Sequence, residues 1–305
     1  MKLSPFYQVL LIVFVTLGVY YPTLFAPFNS LDDKVFVNKL FLQLLNEDGV
    51  SLSRHFSPGG VYDYYRPLVS LSFEIDKYVG GLQETFMHLV NVVVHLLNVI
   101  FVWLVARRFG VFAQRPSEWL PLLAALLFAL HPINTEAVNW IAGRTDLLAG
   151  AFVLLSLYSL FEFCERQSLV WGGVSAVAIL CGALCKETAL FFVPVACFLL
   201  LYDTGPTRPT WQFCWSLPVF YGAAIASYFS LRLGAFQADR GLGHTGQLIS
   251  QTTGTFMATG GSVPLEKTVS FPWLDALTAA LKAVGFYAVK LFQPLPLNFA
   301  IHRVD

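Results

Sequence analysis

The chain has 305 residues, 56% of them hydrophobic and only 12% charged, with 19 Lys and Arg balancing 19 Asp and Glu. A soluble domain carries about 45–50% apolar and about 25% charged residues, so this composition excludes a soluble globular protein, and with it disorder, a collagen-like repeat and a coiled coil. Zero net charge with no run of five like charges also excludes a nucleic-acid groove and a polybasic membrane tether, which leaves a polytopic membrane protein whose partners are lipid-soluble or reached across the bilayer.

A spanning helix takes about 20 mostly apolar residues. The first such run, 6–28, begins behind Lys2 and ends among Pro22, Pro27 and Asn29 without an Ala-x-Ala cleavage site, so it reads as an uncleaved signal anchor. Further spans are predicted at 86–106, 119–131, 147–163, 169–185, 188–202, 213–231 and 276–292. The last is short and carries Lys282 and Lys290, which favour tilting or an interfacial position. Lys2, Arg107, Arg108, Arg115, Arg166 and Arg208 fall on one side of this parse, against Arg144 and Lys186 on the other, which places the N-terminus in the cytoplasm.

Segments 29–85 and 232–275 then lie outside. The first holds Lys34, Lys39, Arg54, Arg66 and Lys77 against the charge rule, but long segments translocate with less regard to charge. Within it, Val37, Leu40, Phe41, Leu44 and Leu45 repeat at helical spacing with polar residues opposite, the pattern of a helix lying on the outer leaflet. The second is rich in Gly, Thr and Ser and reads as a loop or lid. Cys164, Cys181, Cys185, Cys197 and Cys214 all fall in or beside apolar helices and offer no disulfide framework. No repeat of 20 to 50 residues recurs.

Ionisable groups are costly in a bilayer, so their positions carry the functional signal. Asp32 and Asp33 stand where the first helix leaves the membrane, either as solvated turn residues or as a general base whose pKa is raised by burial and a like-charged neighbour. Arg66, in Tyr64-Tyr65-Arg66-Pro67, is suited to a phosphate or simply to the headgroup region. His88, Asn91, His95 and Asn98 form one polar stripe that must face the bundle interior or a water-filled cavity. The stretch from His131 to Asp146 holds His131, Glu136, Arg144 and Asp146, more polar groups than a tight turn needs. These suit a cation or a phosphate, although Thr145 or Asp146 could equally cap a helix. Lys186 and Glu187 read as either a structural ion pair or a phosphate-binding Lys with its neighbour.

The order of these segments is specific. Phe-Asn-Ser-Leu-Asp-Asp-Lys-Val-Phe-Val-Asn (28–38), Tyr-Arg-Pro-Leu-Val-Ser-Leu-Ser-Phe (65–73) and Gly-Gly-Leu-Gln-Glu-Thr-Phe-Met-His-Leu-Val-Asn-Val-Val-Val-His (80–95) resemble the membrane half of the transmembrane O-mannosyltransferase and tetratricopeptide-repeat family. His131-Pro132 through Leu148, Lys186-Glu187 and Leu295-Pro296-Leu297-Asn298 extend the resemblance over nearly the whole chain. It implies an all-α, polytopic GT-C helix bundle, a polyprenyl-phosphate-sugar donor and a catalytic acidic motif at Asp32 and Asp33. This chain shows no tetratricopeptide-repeat region. It also reads Asn298 to Arg303 where eukaryotic relatives carry an acidic, aromatic-flanked stretch.

Residues and resemblance together lead to an inverting transfer of a mannose-like hexose from a polyprenyl phosphate to a hydroxyl of a protein, glycan or lipid at the outer face. One Asp serves as base and the other orients the acceptor or holds a divalent metal, and no other cofactor is implied. Arg66, His88, Asn91, His95, His131, Glu136, Arg144, Asp146, Lys186 and Glu187 are the expected donor or substrate contacts. The rivals are a transporter or channel, which would spread polar groups through the depth of the bundle, and a non-catalytic membrane scaffold.

Overall fold

A computed structural model describes residues 3–27, 52–56, 65–81, 83–113, 116–202 and 215–238, with isolated helical positions between 277 and 289. It divides into residues 1–235 and 236–305. The predicted surface helix at 37–45 and the acidic pair Asp32 and Asp33 lie outside the described residues.

The described backbone is helical, without strand. Helix α1 (Pro5–Tyr20) starts on a proline and tightens into a 3-10 turn, Tyr21–Phe25. Next come α2 (Leu52–Phe56), α3 (Pro67–Gly80) and α4 (Glu84–Phe112). A proline opens α3, and Gly81, at φ 65° in the left-handed region, closes it. Then follow α5 (Leu120–Leu130), α6 (Asn134–Asn139), α7 (Arg144–Arg166) and α8 (Leu169–Cys185). A 3-10 turn, Glu187–Phe191, leads into α9 (Phe192–Tyr202), and α10 spans Ser216–Ala238.

Three of these segments are long and apolar enough to cross a membrane: Pro5–Phe25, Glu84–Phe112 and Arg144–Arg166. At about 1.5 Å per residue even the shortest reaches the roughly 30 Å of a hydrocarbon core. The chain is an all-α membrane helix bundle. The segment 29–85, expected to carry amphipathic helices, contains α3. One feature differs from the sequence expectation: the loop expected from about Arg232 does not begin there, because α10 stays helical to Ala238.

Pairings along the helices fix their directions. Ile12 of α1 packs with Val99 and Trp103 of α4, while Tyr20, at the other end of α1, packs with Val92. Helices α1 and α4 are therefore antiparallel. Trp103 Nε1 donates to Gln8 Oε1 at 2.9 Å, and Gln8 Nε2 donates to the Glu118 carbonyl at 3.1 Å, pinning α1, α4 and the entry to α5. Helices α7 and α8 form a hairpin in which Ser175 Oγ lies 2.8 Å from both Ser156 Oγ and the Tyr221 hydroxyl of α10. Lipid tails are as apolar as the helices, so close approach and such polar links hold a bundle together, each link contributing about 0.6 to 2 kcal/mol. Gly172 illustrates the close approach, since a Cβ there would lie 2.9 Å from the Phe163 ring.

Parallel α4 and α7 give the bundle two polar ends. At their C-terminal ends, fully buried Glu162 pairs with Arg108 and with Arg166, the latter at 2.5 Å, and Arg108 also meets Glu165 at 2.8 Å. Their N-terminal ends hold the second, larger cluster.

Candidate active site

The second cluster is built from both ends of α3, the N-terminal parts of α4 and α7 and the C-terminus of α8. Its floor is Arg144, the first residue of α7, with no solvent exposure. Nη1 donates to Asp76 Oδ2 of α3 at 2.5 Å, Nε to Asn91 Oδ1 of α4 at 2.8 Å, and Nη2 to the Met87 carbonyl at 2.8 Å. The Phe73 ring lies 4.1 Å from the guanidinium carbon, a cation–π contact inside the protein. Asn91 Nδ2 donates to the Trp140 carbonyl at 2.7 Å, so the same network reaches the strand of chain between α6 and α7. Burial pushes the Asp76 carboxyl above its usual range, and Arg144 works against that shift.

Above this floor lies a rim of half-exposed charges. Lys186, just past α8, meets Asp146 at 2.5 Å, and Glu187 meets Arg66 at 3.9 Å. Neighbours in sequence, Lys186 and Glu187 thus part to join two different elements. Arg66 occupies the N-terminal cap of α3 and is 20% exposed, while Lys186 is 27% exposed. Glu136, on α6, belongs to the same rim. Its carboxyl is pushed up by burial and by Asp146, and pulled down by Lys186. The capping alternative for Asp146 is replaced by this geometry, because the cap of α7 is Gly143 and the Asp146 carboxylate is turned to Lys186.

Other expected site residues lie apart from the rim. His88 is fully buried on α4. His95, also fully buried, sits one level deeper, edge-on to Tyr20 with ring centres 4.8 Å apart and stacked on Phe128 at 5.6 Å. Asn98 donates to the Leu147 carbonyl at 2.9 Å, which is an interhelical hydrogen bond. His131 ends α5, where its Nδ1 accepts the Ile133 N–H at 3.2 Å. Among the described residues, no three His, Cys, Asp or Glu side chains converge as a metal ion requires.

Sequence reasoning missed Asp76, Phe73 and a buried group formed by His55, Ser70 and Glu74. Asp76 had a readable signal, because Val69, Phe73 and Asp76 follow at i, i+4 and i+7 and so put a carboxylate on an apolar helix face.

No solved structure is a significant match to the chain. Protein O-mannosyl-transferase tmtc2 of Xenopus laevis is 37% identical over 143 residues, covering 45% of this chain and 16% of the relative. Protein O-mannosyl-transferase TMTC3 of Mus musculus is 32% identical over 218 residues, 67% of this chain and 22% of the relative. The mouse TMTC4 protein of the same name is 31% identical over 217 residues, 62% and 28% respectively. The chain therefore aligns with well under a third of the length of these relatives. A profile described as dolichyl-phosphate-mannose-protein mannosyltransferase matches residues 67–230, a stretch that runs from α3, with Asp76, through both the Arg144 floor and the Lys186 rim to α10. With more than half of its residues inside that match, the chain belongs to the dolichyl-phosphate-mannose-protein mannosyltransferase family.

Proposed function

We propose that this chain is a membrane glycosyltransferase that moves a mannose-like hexose from a polyprenyl phosphate to a hydroxyl acceptor at the outer face of the membrane. The observation that carries this reading is the rim of exchangeable charges at one end of the bundle. Arg66 and Lys186 are partly exposed, and each faces a carboxylate on another element, Arg66 at the long distance of 3.9 Å. Exposed pairs of this kind contribute about 0–1 kcal/mol, so an incoming phosphate can take the place of Glu187 or Asp146 at small cost. Arg offers the phosphate two parallel N–H donors and Lys a point charge. A transporter would spread its polar groups along the bundle axis; here the exposed charges gather at the two ends, the rim at the end that holds α6 and the start of α7 and the Arg108, Glu165 and Arg166 group at the other.

The proposed reaction is a single displacement. An oxygen of the acceptor hydroxyl attacks the anomeric carbon, and its proton passes to Asp32 or Asp33. The bond from the anomeric carbon to the phosphate oxygen breaks with inversion, and the electron pair leaves on the polyprenyl phosphate, whose charge Arg66 and Lys186 meet. Arg144 does not contact the donor in this scheme. Fully buried, with its guanidinium committed to Asp76, Asn91 and Met87, it holds the floor on which the rim stands.

The test is the double variant Asp32→Asn, Asp33→Asn in membranes supplied with a polyprenyl-phosphate hexose. Transfer should fall to background while the protein still inserts and folds. Undiminished product would refute the assignment.

A further inference from the structure

Helix α2 is only five residues long, too short to persist alone, since isolated helices under about 12 residues are marginal in water. Its position must come from what it packs against. Phe56 joins the apolar cluster of Ala183, Leu184 and Tyr228 with Tyr65 and Leu68. His55 is the polar counterpart, 3% exposed, and it reaches two side chains of α3 at once. Its Nδ1 lies 2.7 Å from Ser70 Oγ and its Nε2 2.5 Å from Glu74 Oε2. Ser70 and Glu74 are themselves 2% and 1% exposed and stand four residues apart, on one helix face.

Hydrogens in this group can be placed. Ser70 Oγ donates to the Pro67 carbonyl at 3.0 Å, so it accepts from Nδ1–H of His55. Nε2 and the Glu74 carboxyl then share the second hydrogen bond, at 2.5 Å. Removing one member leaves a polar or charged group buried without its partner.

The helix face seized by His55 belongs to the element that carries the site. Arg66 caps α3 one residue before Pro67, and Asp76, two residues after Glu74, anchors the same helix to Arg144. We propose that the Ser70–His55–Glu74 group is a positioning device for the donor phosphate: by seating α2 on the first turns of α3, it fixes where Arg66 is presented. His55 acts through Arg66 and does not touch the donor. This inference rests on the function proposed above.

The experiment uses the full chain in lipid nanodiscs with undecaprenyl phosphate as probe, reading its Kd together with amide hydrogen exchange over residues 52–56. His55→Ala should speed exchange at 52–56 and weaken the probe about tenfold, the scale of one buried hydrogen bond. His55→Gln, which keeps an N–H donor toward Glu74, should recover part of both and serves if the alanine variant does not fold. The double variant His55→Ala, Arg66→Ala should bind no more weakly than Arg66→Ala alone, because one residue acts through the other. Losses that add, or faster exchange with an unchanged Kd, would overturn the positioning role and leave the donor site standing. An unmodified chain that does not bind the probe would instead overturn the donor reading, and this inference with it.

Discussion

Removing either partner of the Arg144–Asp76 pair leaves an ion in a site with almost no exposure, and breaking a buried pair in this way costs about 3–5 kcal/mol. Arg144→Ala and Asp76→Asn should each lower the unfolding midpoint in nanodiscs sharply. Arg144→Lys should recover only part of the loss, since an ammonium cannot reach Asp76, Asn91 and the Met87 carbonyl in one planar fork. Glu136 offers a prediction of opposite sign. Its carboxyl is raised in the folded protein by burial and by Asp146, so the folded state holds that proton more tightly than the unfolded one. Glu136 therefore weakens the fold as pH rises from about 4.3, its unfolded value, through its raised folded value, and does not weaken it below about 4.3. Glu136→Gln should leave the melting temperature higher at pH 7 than the unaltered chain and unchanged near pH 4; a lower value at pH 7 would contradict the shift. Arg144 was legible as a polar residue where lipid is expected, but its role was not, because the partner that turns it from a phosphate contact into a floor lies 68 residues earlier in the chain.

Among elements, the turn from α6 to α7 is closed by backbone against backbone. A Cβ on Gly143 would stand 2.5 Å from the carbonyl oxygen of Ala137, which is backbone and cannot rotate away. Gly143→Ala should therefore cost about 1–3 kcal/mol by forced backbone displacement, and should disturb Arg144 next to it. Chemical denaturation of that variant, compared with Gly173→Ala, where nothing lies within 4 Å, separates the clash from any general effect of glycine replacement. The long apolar helices were legible because each holds about 20 mostly apolar residues. Helix α3 was not. Glu74, Asp76 and Lys77 interrupt its apolar residues, and two of those charges turn inward to His55 and Arg144, so only tertiary partners explain why a helix forms there.

At the scale of the molecule, the two polar ends of α4 and α7 carry opposite expectations of access. The proposed topology puts Glu136 outside the cell membrane and Glu165 in the cytoplasm. With single cysteines at those two exposed positions, a membrane-impermeant maleimide added to intact cells should label Glu136→Cys and spare Glu165→Cys; the reverse would invert the orientation. Charge counting in the short loops had already separated Arg107, Arg108 and Arg166 from Arg144 and Lys186, and the fold puts them at opposite ends of parallel helices.

The Arg144–Asp76 pair also has a consequence in time. At about 5–20 residues per second, a ribosome that has made Asp76 needs about 3 to 14 s to make Arg144, 68 residues on. Through that interval the carboxylate that ends beneath the rim has no counter-ion, so α3 has to wait in a hydrated setting before it can be enclosed. Synthesis thus dictates an order of assembly in which α3 docks only after α7 has emerged and delivered its arginine.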